Sequence, residues 1–340
     1  SSLGDYRSCL QMLEQAVPVG LRLGDPLRVA TTYLDLGFYH RAVGNFEPAI
    51  DCYRKVVKTK LGEASPGFPD PKWIRAEALL RLGAIYSFLE EEELKVFYIC
   101  QAIDLLESLW IEDPQNEKDK HNNALVSYAL GQCWFQLGIY EAAARFFSSA
   151  RGELEESTDP DDVIRWISSI EFEGLCYYEK GEYEQAFSKF SQALELYHER
   201  HISRLNEVIL LMHMAICKFH LGQYQTALDL ADQAMTLAEK TLISPSKTFQ
   251  ILAELHYQLG RIYEETGDIS RAIEEWEKAV RVIEGIRAYM RQAHLKQRYL
   301  GVNLGCYSAL VRAFYTLRES DEVLQYIERA KARTLVDMME

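Results

Sequence analysis

The sequence predicts an all-α protein, a right-handed α-solenoid built from paired helices. Glycine and proline number only 19 and 9 among 340 residues, while 48% of the residues are hydrophobic. This composition favours long helices around a large buried core. In addition, one helical pattern recurs along the chain with the same internal spacings. Helix pairs that bury their apolar faces only against neighbouring pairs stack into a solenoid.

The recurring pattern has three fixed positions. A small residue is followed seven positions later by a glycine, and five positions after that by an alanine. The small residue lets two helices approach, the glycine turns between them, and the alanine seats the second helix on the first. The pattern occurs in segments 33–53, 128–147, 172–190, 213–231 and 257–276. The small residues are Gly37, Gly131, Gly174, Ala215 and Gly260, the turn glycines are Gly44, Gly138, Gly181, Gly222 and Gly267, and the alanines are Ala49, Ala143, Ala186, Ala227 and Ala272.

Two further segments match the pattern in a degenerate form. Segment 79–106 has glutamates where the turn glycine is expected, and we expect its frame to be shifted by one residue. Segment 306–330 has Arg318 and Glu319 at the turn. Near the beginning, segment 13–25 resembles the second helix of a repeat whose first helix is missing.

The pattern resembles the tetratricopeptide repeat, a helix pair with a small residue, a turn glycine and an alanine at these places. Successive turn glycines from Gly138 to Gly267 lie 43, 41 and 45 residues apart, so the period exceeds the 34 residues of the shortest repeats. We therefore expect residues 1–25 to be the second helix of a truncated repeat and 26–340 to hold about seven helix pairs. The expected pairs are 26–64, 72–111, 120–157, 161–200, 203–242, 246–290 and 292–340.

Composition and charge argue against several functional classes. The sequence contains neither a run of about 18 apolar residues nor a basic segment leading into an apolar one near its N-terminus. The formal net charge of −14 opposes binding to a phosphate backbone, which requires a basic face. We therefore expect a soluble, cytoplasmic protein that binds neither membranes nor nucleic acid directly.

The cysteines and histidines favour core packing over chemistry. Cys133, Cys176 and Cys217 lie two residues after the small residue of three successive repeats, which indicates one equivalent buried position. His213 and Cys217 are four residues apart on a helix, but no nucleophile loop accompanies them. No metal-ligand cluster, glycine-rich phosphate loop or hydrolase motif is present. We expect no catalytic residue, no metal and no cofactor in this chain.

A concave groove lined by the first helices is the expected binding site, as in other solenoids. In the repeat frame its residues lie three before, one after and four after the small residue. These positions hold Tyr128, Gln132 and Phe135, then Glu171, Leu175 and Tyr178, then Met212, Ile216 and Phe219, then Tyr257, Arg261 and Glu264. The middle of the groove is apolar, so it can hold a partner peptide or helix, or a neighbouring segment of the same protein.

Two known groove chemistries are not visible in the sequence. Repeats that bind chaperone tails clamp a terminal carboxylate with lysine and asparagine, and kinesin light chains hold a peptide backbone with asparagines. The corresponding positions here are Phe38, Gln132, Leu175, Ile216 and Arg261. The partner's identity therefore stays open.

The final segment resembles the linker helix that joins tetratricopeptide arrays to CHAT domains, which are caspase- and separase-like cysteine peptidases. The matching residues are Glu328, Lys331, Arg333, Leu335 and Asp337. The resemblance implies a protease domain after Glu340 and makes the repeats its regulatory, partner-sensing region. That domain would be a partner in cis. The alternative is a self-contained peptide receptor or adaptor that binds a peptide or helix in its groove.

Overall fold

The computed structural model describes the backbone of residues 2–42, 45–62, 69–200, 204–240, 245–289 and 303–339, with residues 202 and 299. Side chains are described at 9–41, 45–62, 69–200, 202, 205–240, 251–285, 287, 299 and 303–330. The expected turn at Gly44 lies outside the described residues. So do the side chains of Lys331, Arg333, Leu335 and Asp337, whereas Glu328 is described and exposed.

The described residues form fifteen α-helices and no strand, which confirms the predicted all-α fold. The helices are α1 (Ser2–Leu23), α2 (Pro26–Ala42), α3 (Phe46–Lys58), α4 (Pro71–Phe88), α5 (Glu92–Glu107), α6 (Glu117–Gln136), α7 (Tyr140–Leu154), α8 (Pro160–Glu179), α9 (Tyr183–Arg200), α10 (Arg204–His220), α11 (Tyr224–Lys240), α12 (Pro245–Glu265), α13 (Ile269–Tyr289), α14 (Leu304–Leu317) and α15 (Ser320–Met339).

The helices belong to two compact units, α1–α9 and α10–α15. In the first unit α4 packs on α5, α6 on α7 and α8 on α9, and each pair also packs on the next through α5–α6 and α7–α8 contacts. The first helices of successive pairs touch one another as well, α4 with α6 and α6 with α8. In the second unit α10 packs on α11, α12 on α13 and α14 on α15.

The turn glycines lie between the two helices of each pair, as the repeat pattern predicts, and adopt the left-handed backbone conformation. Their φ angles are 76° at Gly138, 78° at Gly181, 71° at Gly222 and 84° at Gly267. At the first of these turns the Gly138 N–H donates to the Phe135 carbonyl and the next N–H donates to the Trp134 carbonyl, both at 2.9 Å. These two bonds end the helix in a Schellman motif, which satisfies carbonyls that would otherwise have no partner.

The two degenerate repeats use the same turn without glycine. Glu90 has a φ of 55° and Arg318 a φ of 61°, and each lies at the turn position. Gly83 precedes Glu90 by seven residues, and Ile99 packs on Gly83 from sixteen residues further along. These spacings are the same as in the regular repeats, so the expected one-residue shift in segment 79–106 is wrong.

In five of the repeats the small residue lies beneath a large side chain of the second helix. A Cβ added at Gly131 would lie 2.8 Å from the Phe147 ring, and one added at Gly174 would lie 2.7 Å from the Phe190 ring. Tyr53, Ile99 and Trp276 occupy the same position over Gly37, Gly83 and Gly260. In segment 213–231 the two positions hold Ala215 and Ala231, which share one buried cluster. The close approach that the sequence predicts is therefore made by a side chain sixteen residues downstream.

Short polar side chains fix the N-termini of α4, α6 and α8. Asp70 accepts from the Lys72 N–H at 2.7 Å, Asn116 from the Asp119 N–H at 3.0 Å, and Asp159 from the N–H two residues on at 2.9 Å. Each bond satisfies a backbone donor at the helix start, which typically stabilises a helix by about 1 kcal/mol. These are the three helices that contribute most to the cavity described next.

Candidate functional site

The first unit contains a cavity of about 530 Å³, which we call the first-unit cavity. Except for Leu106 on α5, its lining residues belong to α2, α4, α6 and α8, the first helices of four successive pairs. They are Arg41, Trp73, Ala76, Glu77, Leu80, Arg81, Ala84, Tyr128, Ala129, Gln132, Phe135, Gln136, Asp161, Ile164, Arg165 and Phe172. Ligand pockets in proteins typically measure about 300–1,000 Å³, so this volume suits a few side chains of a partner.

Three residues of the predicted groove line this cavity together: Tyr128, Gln132 and Phe135. Two of them belong to an aromatic cluster centred on Phe172. The Phe172 ring stacks on Phe147 at 4.7 Å, and its edges meet Phe135 at 5.6 Å and Tyr128 at 6.3 Å. Edge-to-face rings at such separations attract each other beyond the area they bury. The cluster therefore gives the cavity a rigid apolar side.

The groove residues predicted from the repeat pattern do not include Phe172. Phe172 lies two residues before the small residue Gly174, whereas the predicted groove positions lie three before, one after and four after it. The aromatic side chain was the one signal in the sequence that could have marked this position as part of the cavity. The structure shows that α8 turns this position towards α6 and α7. The fixed-offset frame therefore selects the correct helices but not every residue that lines the cavity.

Arginines from three helices line the same cavity. Arg41 lies at the end of α2, Arg81 on α4 and Arg165 on α8. The Arg81 guanidinium donates to the Glu77 carboxylate through Nε at 3.1 Å and also through Nη2, while its plane faces the Phe38 ring at 5.7 Å. Packing around Arg41 and the nearby charge of Arg81 lower the pKa of Arg41, although arginine stays protonated at neutral pH.

Glu171 lies one residue before Phe172, at a predicted groove position. Burial raises the pKa of its carboxyl to about 7, because a charged carboxylate is poorly solvated there. The phenol of Tyr128 interacts with this carboxyl and hydrogen-bonds to Ser168, and burial raises the pKa of Tyr128 above its usual range. Glu171 is thus a groove residue whose charge changes near neutral pH.

The other predicted groove residues of the first unit, Leu175 and Tyr178, are partly buried on α8 and do not line the cavity. Tyr178 packs edge-on against Tyr183 at 5.7 Å, across the turn of its own repeat. Phe135 makes the equivalent contact with Tyr140 at 5.5 Å. The position four residues after the small residue therefore also stabilises the turn.

In the second unit, the predicted groove residues divide into buried and partly exposed ones. Met212 and Ile216 are only 8% and 5% exposed. Phe219, Tyr257 and Arg261 lie together, with the Arg261 guanidinium 4.6 Å from the centre of the Phe219 ring and 6.0 Å from that of Tyr257. Such cation–π contacts orient the guanidinium over the rings.

Glu264, the last position of the predicted groove, accepts two hydrogen bonds at 3.1 Å and one at 2.9 Å from the Arg312 guanidinium on α14. This ion pair ties α12 to α14 within the second unit. The carboxylate of Glu264 is therefore already engaged by the chain itself.

The cysteines at the equivalent repeat position are core residues, as predicted. Cys133, Cys176 and Cys217 are buried, and burial raises the pKa of each thiol to about 12. Burial lowers the pKa of His213 to about 4, so the His213–Cys217 pair favours neutral imidazole and thiol rather than a reactive thiolate. Among the described residues, no group of His, Cys, Asp or Glu side chains is arranged to hold a metal ion. None of the helices described is both long and apolar enough to cross a membrane.

Tetratricopeptide repeats are confirmed by comparison with known families. Family models described as tetratricopeptide repeat match residues 29–66, 168–240 and 253–284. These ranges include the repeats built around Gly37, Gly174, Ala215 and Gly260. No curated protein matches the chain in sequence.

Several solved structures share the fold at low sequence identity. A Rap protein complexed with Competence and Sporulation Factor is 16% identical, with a TM-score of 0.60 over 97% of this chain and 80% of its own. BtubC (BKLC) from P. vanneervenii is 14% identical, with a TM-score of 0.54 over 72% of this chain and 91% of its own. The apo form of RapI is 16% identical, with a TM-score of 0.50 over 89% of this chain and 98% of its own. At these identities the similarity establishes the fold alone.

Proposed function

We propose that this chain is a protein-interaction scaffold whose first unit binds a peptide or protein segment in the first-unit cavity. The cavity itself carries the proposal, because four first helices line it with both aromatic and guanidinium groups. Apolar side chains supply affinity and a few polar groups supply orientation in typical ligand sites. We propose no catalysis by these residues themselves.

The aromatic side of the cavity supplies part of the free energy of binding. Fully burying one large apolar side chain contributes roughly 1.5–3 kcal/mol. A partner that covers two or three such side chains offsets part of the free-energy cost of the freedom lost on association, which is about 4–15 kcal/mol. Additional polar contacts are therefore needed for tight binding, and the arginines and Gln132 lie in position to make them.

A peptide-display selection against the purified chain tests this proposal, followed by titration of one selected peptide by fluorescence anisotropy. We expect Phe135→Leu to weaken binding at least fivefold, because it removes part of the aromatic surface. Phe97→Leu is the matched control, since Phe97 lies on α5, is exposed and does not line the cavity. Selected peptides that bind both variants equally would place binding elsewhere, and a failed selection would count against the scaffold.

For the complete protein, we propose that the repeats are the regulatory, partner-sensing region of a larger CHAT-type cysteine protease. The support is the resemblance of Glu328, Lys331, Arg333, Leu335 and Asp337 to the linker helix of such proteins. Partner binding would regulate the protease only if the partner prefers one of two states of the repeats.

Two steps test the proposal of a protease region. The gene is sequenced beyond Glu340, and each candidate peptidase Cys is changed to Ala in the complete protein, whose cleavage of other proteins is then measured. Cleavage that depends on that cysteine and on an added partner would support it. A continuation without a His/Cys peptidase pair would refute it.

The second candidate function is a stand-alone peptide receptor or adaptor. The fold similarity to a Rap protein complexed with Competence and Sporulation Factor favours this alternative. A gene that stops near Glu340, together with saturable binding of a short peptide that Phe135→Leu weakens, would select the receptor over the protease region.

A further inference from the structure

The first-unit cavity is less acidic than the chain as a whole. The chain has a formal net charge of −14. The charged residues lining the cavity are Arg41, Arg81 and Arg165 against Glu77 and Asp161, and Asp162 pairs with Arg165, so the charges at the cavity balance. An acidic segment would therefore be favoured here only at a guanidinium that the chain does not already neutralise.

The three arginines differ in how far the chain already neutralises them. Arg81 is paired with Glu77 through two of its nitrogens. Arg165 donates to Asp162 at 3.1 Å, one turn away on the same helix. Arg41, in contrast, has no carboxylate within ion-pair distance among the residues that the structure describes. The repulsion from Arg81 is one cause of the lowered pKa of Arg41. An incoming carboxylate would relieve this repulsion.

We infer that the first-unit cavity binds an acidic side chain of a partner peptide, with the carboxylate at Arg41 and Arg81. The inference rests on the proposed binding function and specifies its ligand chemistry. Guanidinium groups hold carboxylates in paired, charge-assisted hydrogen bonds. The aromatic rings of Phe135 and Phe172 line the same cavity and offer apolar contact to the neighbouring residues of the peptide.

The proposed carboxylate is that of an acidic side chain within the partner peptide, not that of the peptide's C-terminus. The lining residues run from α2 through α4 and α6 to α8, so a segment lying along the cavity crosses several helices. An acidic residue within the segment can face Arg41 and Arg81 while its neighbours cover Phe135 and Phe172. The aromatic contacts and the charge contacts are then made by different residues of one peptide.

The test uses blocked octapeptides, acetylated at the N-terminus and amidated at the C-terminus, that carry one central Glu or Gln among Leu, Phe and Ala. An array of such pairs identifies the tightest binder, and fluorescence anisotropy measures both members of that pair. We expect the Glu peptide to bind at least tenfold more tightly than its Gln counterpart. Arg41→Gln should bring the two affinities within twofold.

Arg145→Gln is the matched control, because Arg145 is exposed on the second helix α7 and carries the same charge. It should leave the preference for Glu unchanged. Since Arg41 lies at a helix end and forms no ion pair with a described residue, its substitution should leave the thermal midpoint of unfolding unchanged. A Gln peptide with a free C-terminus separates the two sources of a carboxylate. Tighter binding of that peptide than of the blocked Glu peptide would overturn the inference.

The remaining outcomes separate the inference from the proposed function. Equal affinities for Glu and Gln peptides, with both weakened by Phe135→Leu, would overturn the acidic specificity while leaving the scaffold intact. A preference for Glu that survives Arg41→Gln would also overturn it. Absence of binding by every peptide would count against both.

Discussion

Gly174 on α8 lies directly beneath the ring of Phe190 on α9, so closely that a Cβ at Gly174 would come within 2.7 Å of the ring carbon Cε1. Real Cβ atoms do not approach a neighbour this closely. The contact therefore couples two positions sixteen residues apart: a large side chain at one requires no side chain at the other. The pair Ala215 and Ala231 meets the same requirement with two small residues.

Gly174→Ala should lower the free energy of unfolding by about 1–3 kcal/mol, because it overpacks the helix interface. In a Phe190→Ala background the same change should be neutral or stabilising, since the pair then matches Ala215 and Ala231. A urea-unfolding double-mutant cycle measures this coupling. Gly152→Ala is the control, because nothing lies within 4 Å of a Cβ there. Equal effects of Gly174→Ala in both backgrounds would contradict the packing argument.

The turn at Glu90 should be improved by glycine. Glu90 holds a φ of 55°, a conformation that costs a residue with a Cβ roughly 1–2 kcal/mol. Glu90→Gly should therefore raise the free energy of unfolding by about 0.5–1 kcal/mol. Gly138→Ala is the reciprocal change at a φ of 76°, and it should destabilise although no atom lies within 4 Å of the new Cβ. Opposite signs in urea unfolding are expected, and equal signs would refute the backbone explanation.

Glu171 should make stability fall as the pH rises towards neutrality. Its pKa in the folded chain is about 7, above the ordinary value of 4.5. Between these two values the folded state retains a proton that the unfolded state has released, so the free energy of unfolding decreases with rising pH. At about 1.4 kcal/mol per pKa unit, the loss reaches about 3 kcal/mol at pH 7 and about 3.5 kcal/mol well above pH 7.

Glu171→Gln should remove this dependence, because the amide resembles the protonated acid. We expect the variant to be more stable than the natural chain at pH 8 and equal to it at pH 4.5, as measured by urea unfolding. Glu195→Gln, on the exposed side of α9, serves as the control. Identical pH profiles for the natural chain and Glu171→Gln would show that the carboxyl is well solvated.

Thiol alkylation should distinguish the cysteines by their burial. Cys100 is exposed, whereas Cys133, Cys176 and Cys217 are buried with thiol pKa values raised to about 12. At pH 8 iodoacetamide should modify Cys100 within minutes and the buried three only after unfolding, because the thiolate is the reactive species. Peptide mapping by mass spectrometry gives the result. Rapid modification of Cys217 in the folded chain would reopen the question of a reactive thiol.

The repeat pattern predicted much of the fold because it records local requirements. A left-handed turn needs glycine, so Gly138, Gly181, Gly222 and Gly267 marked their turns. Glu90 and Arg318 adopt the same left-handed conformation, although residues with a Cβ disfavour it. The packing of the flanking helices places these two turns, and the residue type alone does not reveal them.

The candidate site was predictable only in part. The frame selected Tyr128, Gln132 and Phe135, which line one cavity, but it treated the buried Met212 and Ile216 as equivalent to them. Offsets along one helix specify a face of that helix. Burial depends on the neighbouring helices, so equal offsets in different repeats need not be equally exposed.

By itself the sequence determined the helix pairs, their turns and the buried position of Cys133, Cys176 and Cys217, because these features recur at fixed places in the repeat pattern. Tertiary structure alone brought Arg41, Arg81 and Arg165 to one cavity, since they belong to helices α2, α4 and α8 that are distant along the chain. It also raised the pKa of Glu171, because desolvation depends on everything packed around a carboxyl. Local spacing specifies the repeat, and the stacking of repeats decides the chemistry of the surface they form.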